Sequence, residues 1–366
     1  MKKEIFILCS EPPEQLGGVE ACVREQARGF EKCGYDVRVF HRKNSGPMWF
    51  RRNDRRISHH LTDTLLGFFI GRTAQKAMHS NVAAVFSHST VGWYPLRVPP
   101  DCKQFHIYHG TYRGQANAIR KFISYLGYLK LTWWDSMVLE RMSGRGKQIF
   151  VVSSFVRTEV KRLFGYESVT IGNPLDLGDF HPLDQQQCRR ELGLPADAII
   201  GLFVGNTQPT KGFPMLRRMS HLFPSIVWLL ALRGEESAPI GLGPSVRIVH
   251  DVPRVRMPQF YASADFSFCS SLYDAFPYAL PEGLACGLPI VSSLNGASDQ
   301  FLRVAPLDNL LVNDASDEKR FADATSDVAS RPEFYRDAVT RLARPAVEQW
   351  MDSDNFWKRF NDITGL

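Results

Sequence analysis

Short apolar runs alternate with longer amphipathic stretches along the chain, and this rhythm predicts the elements. Ile5–Cys9 is an apolar run of strand length, followed by a polar loop from Ser10 to Gly18. Apolar positions at helical spacing then predict a helix over Val19–Cys33, stopped by Gly34, and Val37–Phe40 returns to strand character. Further strands are predicted at Val82–Phe86, Phe105–Tyr108 and Gln148–Val152. A second series opens at Ala198–Val204 and continues through Ile226–Leu232, Val246–Val249, Ala264–Cys269, Pro289–Ser292 and Leu310–Val312, with helices between most of them. The tail Pro332–Ile363 is helical in pattern, with breaks expected near Pro345 and Asp352. Strand, loop, helix and strand in two series predict an α/β chain of two Rossmann-like domains in tandem. Asn, Pro, Gly and Asp cluster at Gly172–Pro182, which puts the boundary there.

Composition narrows this picture without changing it. The 366 residues are 44% hydrophobic and 22% charged, ordinary for a globular protein and long enough for two cores. A disordered chain, a collagen-like chain and a disulfide miniprotein are excluded. No apolar stretch is long enough for a spanning helix, and Ile5–Cys9 is too short for a signal-peptide core, so a cytoplasmic location is expected. The seven cysteines, Cys9, Cys22, Cys33, Cys102, Cys188, Cys269 and Cys286, are odd in number and lack a C-x-x-C pair, so buried thiols are expected. His59 and His60 are adjacent and cannot both face one ion from a helix or strand, and no metal is expected.

Charge changes the picture more. Residues 1–150 hold 23 Lys+Arg against 12 Asp+Glu, whereas residues 151–366 hold 21 against 26. The basic first half is expected to meet something anionic: a membrane surface, a phosphorylated small molecule or a nucleic acid.

Three stretches carry candidate chemistry. Gly17-Gly18 lies between the first strand and first helix, where backbone N–H groups can approach an anion, although the dinucleotide fingerprint G-x-G-x-x-G is absent. Gly205-Asn206-Thr207-Gln208-Pro209-Thr210-Lys211-Gly212 follows the first strand of the second series, where doubly wound sheets bind ligands. There Lys211 is either a phosphate ligand or a solvated surface lysine. The third stretch runs Asp274-Ala275-Phe276-Pro277-Tyr278 to Glu282, with Pro277 expected in the first turn of a helix that Gly287 ends. The N-terminus of such a helix suits a diphosphate or a sugar hydroxyl oxygen, and a carboxylate one or two turns further can accept both hydroxyls of a ribose; the alternative takes Asp274 as an N-cap and Glu282 as a solvated helix residue.

The third stretch resembles the E-x7-E signature of retaining family 4 glycosyltransferases. Gly205–Gly212 resembles their G-R-x-x-x-x-K-G segment, and Gly17-Gly18 their N-terminal Gly-Gly loop. Val152-Ser153-Ser154 and Ile171-Gly172-Asn173-Pro174 resemble segments that precede the family's second domain. The resemblance implies the GT-B architecture: two facing Rossmann-like domains, residues 1–172 on the acceptor side and 173–340 holding the nucleotide sugar. The helices of residues 341–366 would cross back and pack on the first domain.

Carried onto this chain, the resemblance gives Glu282 the nucleotide ribose and Asp274 the hydroxyls of the transferred sugar. Ala275, Phe276, Pro277 and Tyr278 would lie against the sugar and diphosphate. Lys211 would hold the departing diphosphate, with Gly205 and Asn206 beside it, while Gly17 and Gly18 would let the first domain close on donor or acceptor. His109, in Tyr108-His109-Gly110-Thr111, is the candidate for orienting the sugar. Asp274 stands where the family has Glu, and Asn206 where it usually has Arg; Arg233 is the candidate to replace that cation.

The implied reaction is retaining transfer from a nucleotide-diphosphate sugar, UDP-sugar favoured, with the sugar nucleotide as substrate, no cofactor and no metal. The acceptor is a glycan, a lipid-linked molecule or another cell-envelope or natural-product acceptor. Phe50–Arg56 and the basic, aromatic stretch Ile119–Lys147 suggest peripheral contact with an anionic membrane at its inner face, and no nucleic-acid motif is present. A sugar-nucleotide 2-epimerase of the same fold, and a non-catalytic nucleotide-sugar-binding protein, are the alternatives.

Overall fold

The computed structural model describes residues 2–15, 17–52, 62–234 and 241–366. Phe50 lies within this range, but most of the basic run that follows it and the His59-His60 pair lie outside the described residues. The chain divides into two compact units, Met1–Asn173 and Pro174–Leu366.

The first unit is built on a parallel sheet of β1 (Glu4–Leu8), β2 (Asp36–Phe40), β3 (Val82–His88), β4 (Lys103–Tyr108), β5 (Gln148–Val151) and β6 (Val169–Thr170), in the order β2-β1-β3-β4-β5-β6. Four successive residues of β1 are buried, because helices cover both faces of such a sheet and alternation disappears. The first helix spans Gly18–Lys32. β6 has two residues, too few to give a hydrophobic pattern, and was not predicted.

The second unit has its own parallel sheet. β7 (Ile200–Gly205), β8 (Val227–Leu232), β9 (Val246–His250), β10 (Phe266–Cys269), β11 (Ile290–Ser293) and β12 (Leu311–Val312) run in the order β12-β11-β10-β7-β8-β9. The direction of winding reverses between β7 and β10, so the loops leaving these two strands diverge and open a crevice at their carboxyl ends.

The tail differs from expectation at one point. Pro332–Ala338, a π-helical segment Val339–Ala343 and Arg344–Met351 form one uninterrupted helical rod, and Pro345 does not break it. The wider π turn just before Pro345 makes room for its ring and dispenses with its missing N–H. The break at Asp352 is present, and its carboxylate accepts from the amides of Asp354 and Asn355 to cap the helix Ser353–Thr364. Among the described residues the seven cysteines are thiols, none of them in a disulfide. Cys33 departs from the buried set because it caps the end of the first helix and is exposed; Cys269 is half-buried.

Candidate active site

The loop after β7 reaches the loop after β10 because residue 212 is glycine. Its φ is +69°, and a Cβ at this position would stand 1.7 Å from the Ser270 carbonyl oxygen. The Ser270 hydroxyl donates to the Gly212 carbonyl at 3.0 Å, and the Leu272 amide donates to the Thr210 carbonyl at 2.9 Å. This lacing brings Lys211 Nζ to Asp274 Oδ2 at 2.5 Å. The carboxylate raises the lysine's pKa against the opposing effect of burial, so Lys211 is a cation at neutral pH. Lys211 is therefore not a freely solvated surface lysine.

Asp274 Oδ1 also accepts from the Phe276 amide at 3.3 Å, closing a tight turn. The helix starts later than the sequence suggested, at Ala279, and runs to Ala285. Ala275, Phe276 and Pro277 are buried in the preceding loop, so Pro277 stands before the helix and Asp274 is not its N-cap.

Glu282 is buried, with 4% of its surface exposed, which removes the solvated-residue alternative. Arg254 Nη1 donates to its Oε1 at 2.6 Å and the Tyr261 hydroxyl to its Oε2 at 2.8 Å. Burial raises the Glu282 pKa, and both partners pull it back by favouring the anion. The guanidinium of Arg254 lies 4.8 Å from the ring centre of Phe180 and 5.6 Å from that of Tyr278. Arg254, Tyr261 and Phe180 escaped the sequence reading. Arg254 sits in a Pro-Arg-Val-Arg loop that reads as surface, and only the fold places it on a carboxylate 28 residues away.

Asn206 folds onto its own loop, its Oδ1 accepting from the Gln208 amide at 3.1 Å. Arg233 follows β8, its amide donates to the Gly205 carbonyl at 2.8 Å, and its charge opposes that of Lys211. A cation thus stands near Lys211 although position 206 supplies none. At Gly205 a Cβ would make ordinary contacts with the Phe203 ring at 3.4 Å, so packing alone does not require glycine there.

Gly17, Gly18 and His109 belong to the first unit. Gly17 caps the first helix with φ 169°, extended backbone open to any residue, and its carbonyl accepts from Ala21 N. Gly18 is the first residue of that helix. His109 follows β4 and meets His88 at the end of β3: His88 Nδ1 and His109 Nε2 are 2.8 Å apart, and the rings stack with centres at 5.1 Å. Burial lowers the His109 pKa to about 4 and that of His88 well below its usual value, so both are neutral at pH 7. Among the described residues no group of three or more His, Cys, Asp or Glu side chains could hold a metal ion.

This geometry lies within two family matches that follow one another along the chain. Residues 16–179 match the family described as Glycosyltransferase Family 4, and residues 184–342 match Glycosyl transferases group 1. The chain belongs to glycosyltransferase family 4. Within the family it is 28% identical over 202 residues to D-inositol 3-phosphate glycosyltransferase of Thermobispora bispora, covering 50% of this chain and 46% of that protein. It is 31% identical over 207 residues to the protein of the same name from a Nocardioides species, covering 48% and 43%. The matched stretch thus spans less than half the length of these curated relatives.

Among solved structures, sucrose-phosphate synthase from Thermosynechococcus elongatus superposes with a TM-score of 0.82 at 18% identity, covering 100% of this chain and 98% of its own. HepE of Anabaena, in complex with UDP-glucose, superposes with a TM-score of 0.71 at 14% identity over both whole chains. WaaG, a glycosyltransferase involved in lipopolysaccharide biosynthesis, gives 0.75 at 13% identity, covering 99% and 100%. The fold of this family 4 chain is GT-B, two Rossmann-like units each built on a six-stranded parallel sheet.

Proposed function

We propose that this family 4 protein is a retaining glycosyltransferase that moves a sugar from a nucleotide-diphosphate sugar, UDP-sugar favoured, to an anionic glycan, lipid-linked or other envelope acceptor. The observation that carries the reading is the pairing of Lys211 with Asp274 and of Arg254 with Glu282 at the reversal of the second sheet. Two buried or half-buried carboxylates, each held by its own cation, form a preorganised polar site. On donor binding the diphosphate would take Lys211, releasing Asp274 for a sugar hydroxyl, while Glu282 accepts the ribose diol. Lys211 and Arg233 would then stabilise the departing diphosphate, so that catalysis rests on placement and charge. Neutral His109 would orient the sugar by a hydrogen bond. The UDP preference draws support from the UDP-glucose complex of HepE. The anionic acceptor draws support from the basic first half and from relatives named for inositol 3-phosphate. We read the site of action as the cytoplasm, with peripheral contact at the membrane's inner face.

The test is release of UDP from a panel of UDP-sugars, with and without candidate acceptors, alongside a thermal-shift screen of nucleotide diphosphates. Acceptor-dependent UDP release, lost in Lys211→Ala and Glu282→Ala, is expected. Turnover of the sugar without an acceptor would favour epimerisation. Binding without any turnover would favour a non-catalytic nucleotide-sugar-binding protein.

A further inference from the structure

The helical segment from Tyr125 to Gly144 is amphipathic the wrong way round. It comprises Tyr125–Leu129, the π-helical stretch Lys130–Glu140 and the turn Arg141–Gly144. Its polar residues Thr132, Asp135, Ser136, Glu140 and Ser143 are buried. Its outward face carries Tyr125, Leu126, Leu129 and Trp133, the first, second and last of these 63%, 73% and 68% exposed. A helix at the surface of a globular unit normally does the reverse. Phe122 and Met142 extend the exposed apolar surface at either end.

Hydrogen bonds tie this segment to the rest of the first unit. The Tyr108 hydroxyl donates to the Glu140 carbonyl at 2.6 Å, the Tyr112 amide donates to the Glu140 carboxylate, and Trp134 Nε1 donates to Thr64 at 2.9 Å. The bonds to Glu140, buried or half-buried, lie on the inward side, and the exposed Trp134 bond ties the segment to Thr64 at the surface.

The charges around it have one sign. Between Cys102 and Lys147 the only acids are Asp135 and Glu140, and both are buried. Arg113, Arg120, Lys121, Arg141 and Arg145 are exposed. The Arg120 guanidinium lies 4.7 Å from the ring centre of Tyr128 and 5.8 Å from that of Tyr125, an arrangement in which a cation stays above an apolar layer.

We infer that this inverted helix is the surface on which the first unit docks to an anionic lipid bilayer, Tyr125, Leu126, Leu129 and Trp133 entering the boundary between headgroups and acyl chains while Arg120, Lys121, Arg141 and Arg145 meet the headgroups. The inference deepens the membrane contact proposed above and does not depend on the donor chemistry. Aromatic and aliphatic residues with flanking cations suit such an interface, and the attraction falls with salt.

The test is co-sedimentation of the full chain with vesicles of phosphatidylglycerol and phosphatidylcholine, against phosphatidylcholine alone, at low and high salt. Binding is expected to the anionic vesicles, to weaken at high salt, and to drop at least tenfold in Leu126→Glu/Trp133→Glu. That variant should keep wild-type thermal stability and donor turnover, since both residues are exposed and outside the donor site. Equal binding of wild type and variant to anionic vesicles, or none by either, overturns the inference. A wild-type dimer in sedimentation that this variant converts to monomer would assign the face to a second copy of the chain and also overturn it. Absence of UDP release by the wild-type chain, with its vesicle binding intact, would instead remove the proposed donor chemistry and leave the docking surface standing.

Discussion

Arg254 Nη1 stands 2.6 Å from Glu282 Oε1, and this contact is what lets a carboxylate sit buried in the middle of the candidate nucleotide site. An uncompensated buried carboxylate takes up a proton and ceases to be a double acceptor for a ribose. Arg254 is therefore a positioning residue for Glu282.

Arg254→Met should raise the Glu282 pKa further, since burial already raises it and the cation is its main counterweight. UDP affinity, measured by calorimetry, is expected to fall at pH 6 and recover in part at pH 8, while wild type varies little. Because Arg254 is one-third exposed, the stability loss should be about 1–3 kcal/mol, below that of a fully buried pair. Arg254→Lys should restore much of the affinity. A pH-independent loss of affinity would show that Arg254 acts by shape alone.

Lys211→Ala should cost turnover far more than folding. Removing one preorganised charge from a departing oxyanion is worth roughly 10²–10³ in rate. UDP should lose more affinity than UMP, because the proposed contact is to the diphosphate. Equal losses for the two nucleotides would place Lys211 elsewhere on the ligand.

Gly212→Ala should destabilise the second unit. The residue has φ +69°, and its Cβ would meet a backbone oxygen at 1.7 Å that cannot swing aside. The strained backbone alone costs about 1–3 kcal/mol, and displacement of the loop adds to it. Urea denaturation measures the loss. A matched Gly205→Ala, where the contacts are ordinary, should change stability by much less.

The histidines of the first unit make it acid-sensitive. The folded pKa of His109 is about 4, below the unfolded value, so the unfolded chain binds more protons as pH falls. The contribution is complete above about pH 6.5 and is lost as pH drops toward 4, roughly 3 kcal/mol for His109 alone. His88 and His106, also lowered by burial, add in the same direction. His109→Gln, which keeps a polar atom near the Nε2 position, should flatten the fall in stability between pH 6.5 and 4.5 in denaturant titrations.

The strand series is legible in the residues alone, because hydrophobic periodicity is a local property of the chain. Eleven strands lie where apolar runs put them, and β6 was missed because two residues carry no period. Position in the chain left Lys211, Asp274 and Glu282 open to a bland reading, and the resemblance to family 4 motifs is what singled them out. That Lys211 and Asp274, 63 residues apart, are ion-paired follows from the packing of two loops, since it depends on Gly212 passing the Ser270 carbonyl. The burial of Glu282 against Arg254 and Tyr261 likewise follows from tertiary packing, because burial is set by what packs from other elements. The same holds for the helix of residues 125–144. Its basic and aromatic composition is legible in the sequence, but its orientation rests on the contacts that Glu140 makes with Tyr108 and Tyr112, which hold its polar side inward and leave Tyr125, Leu126 and Trp133 exposed.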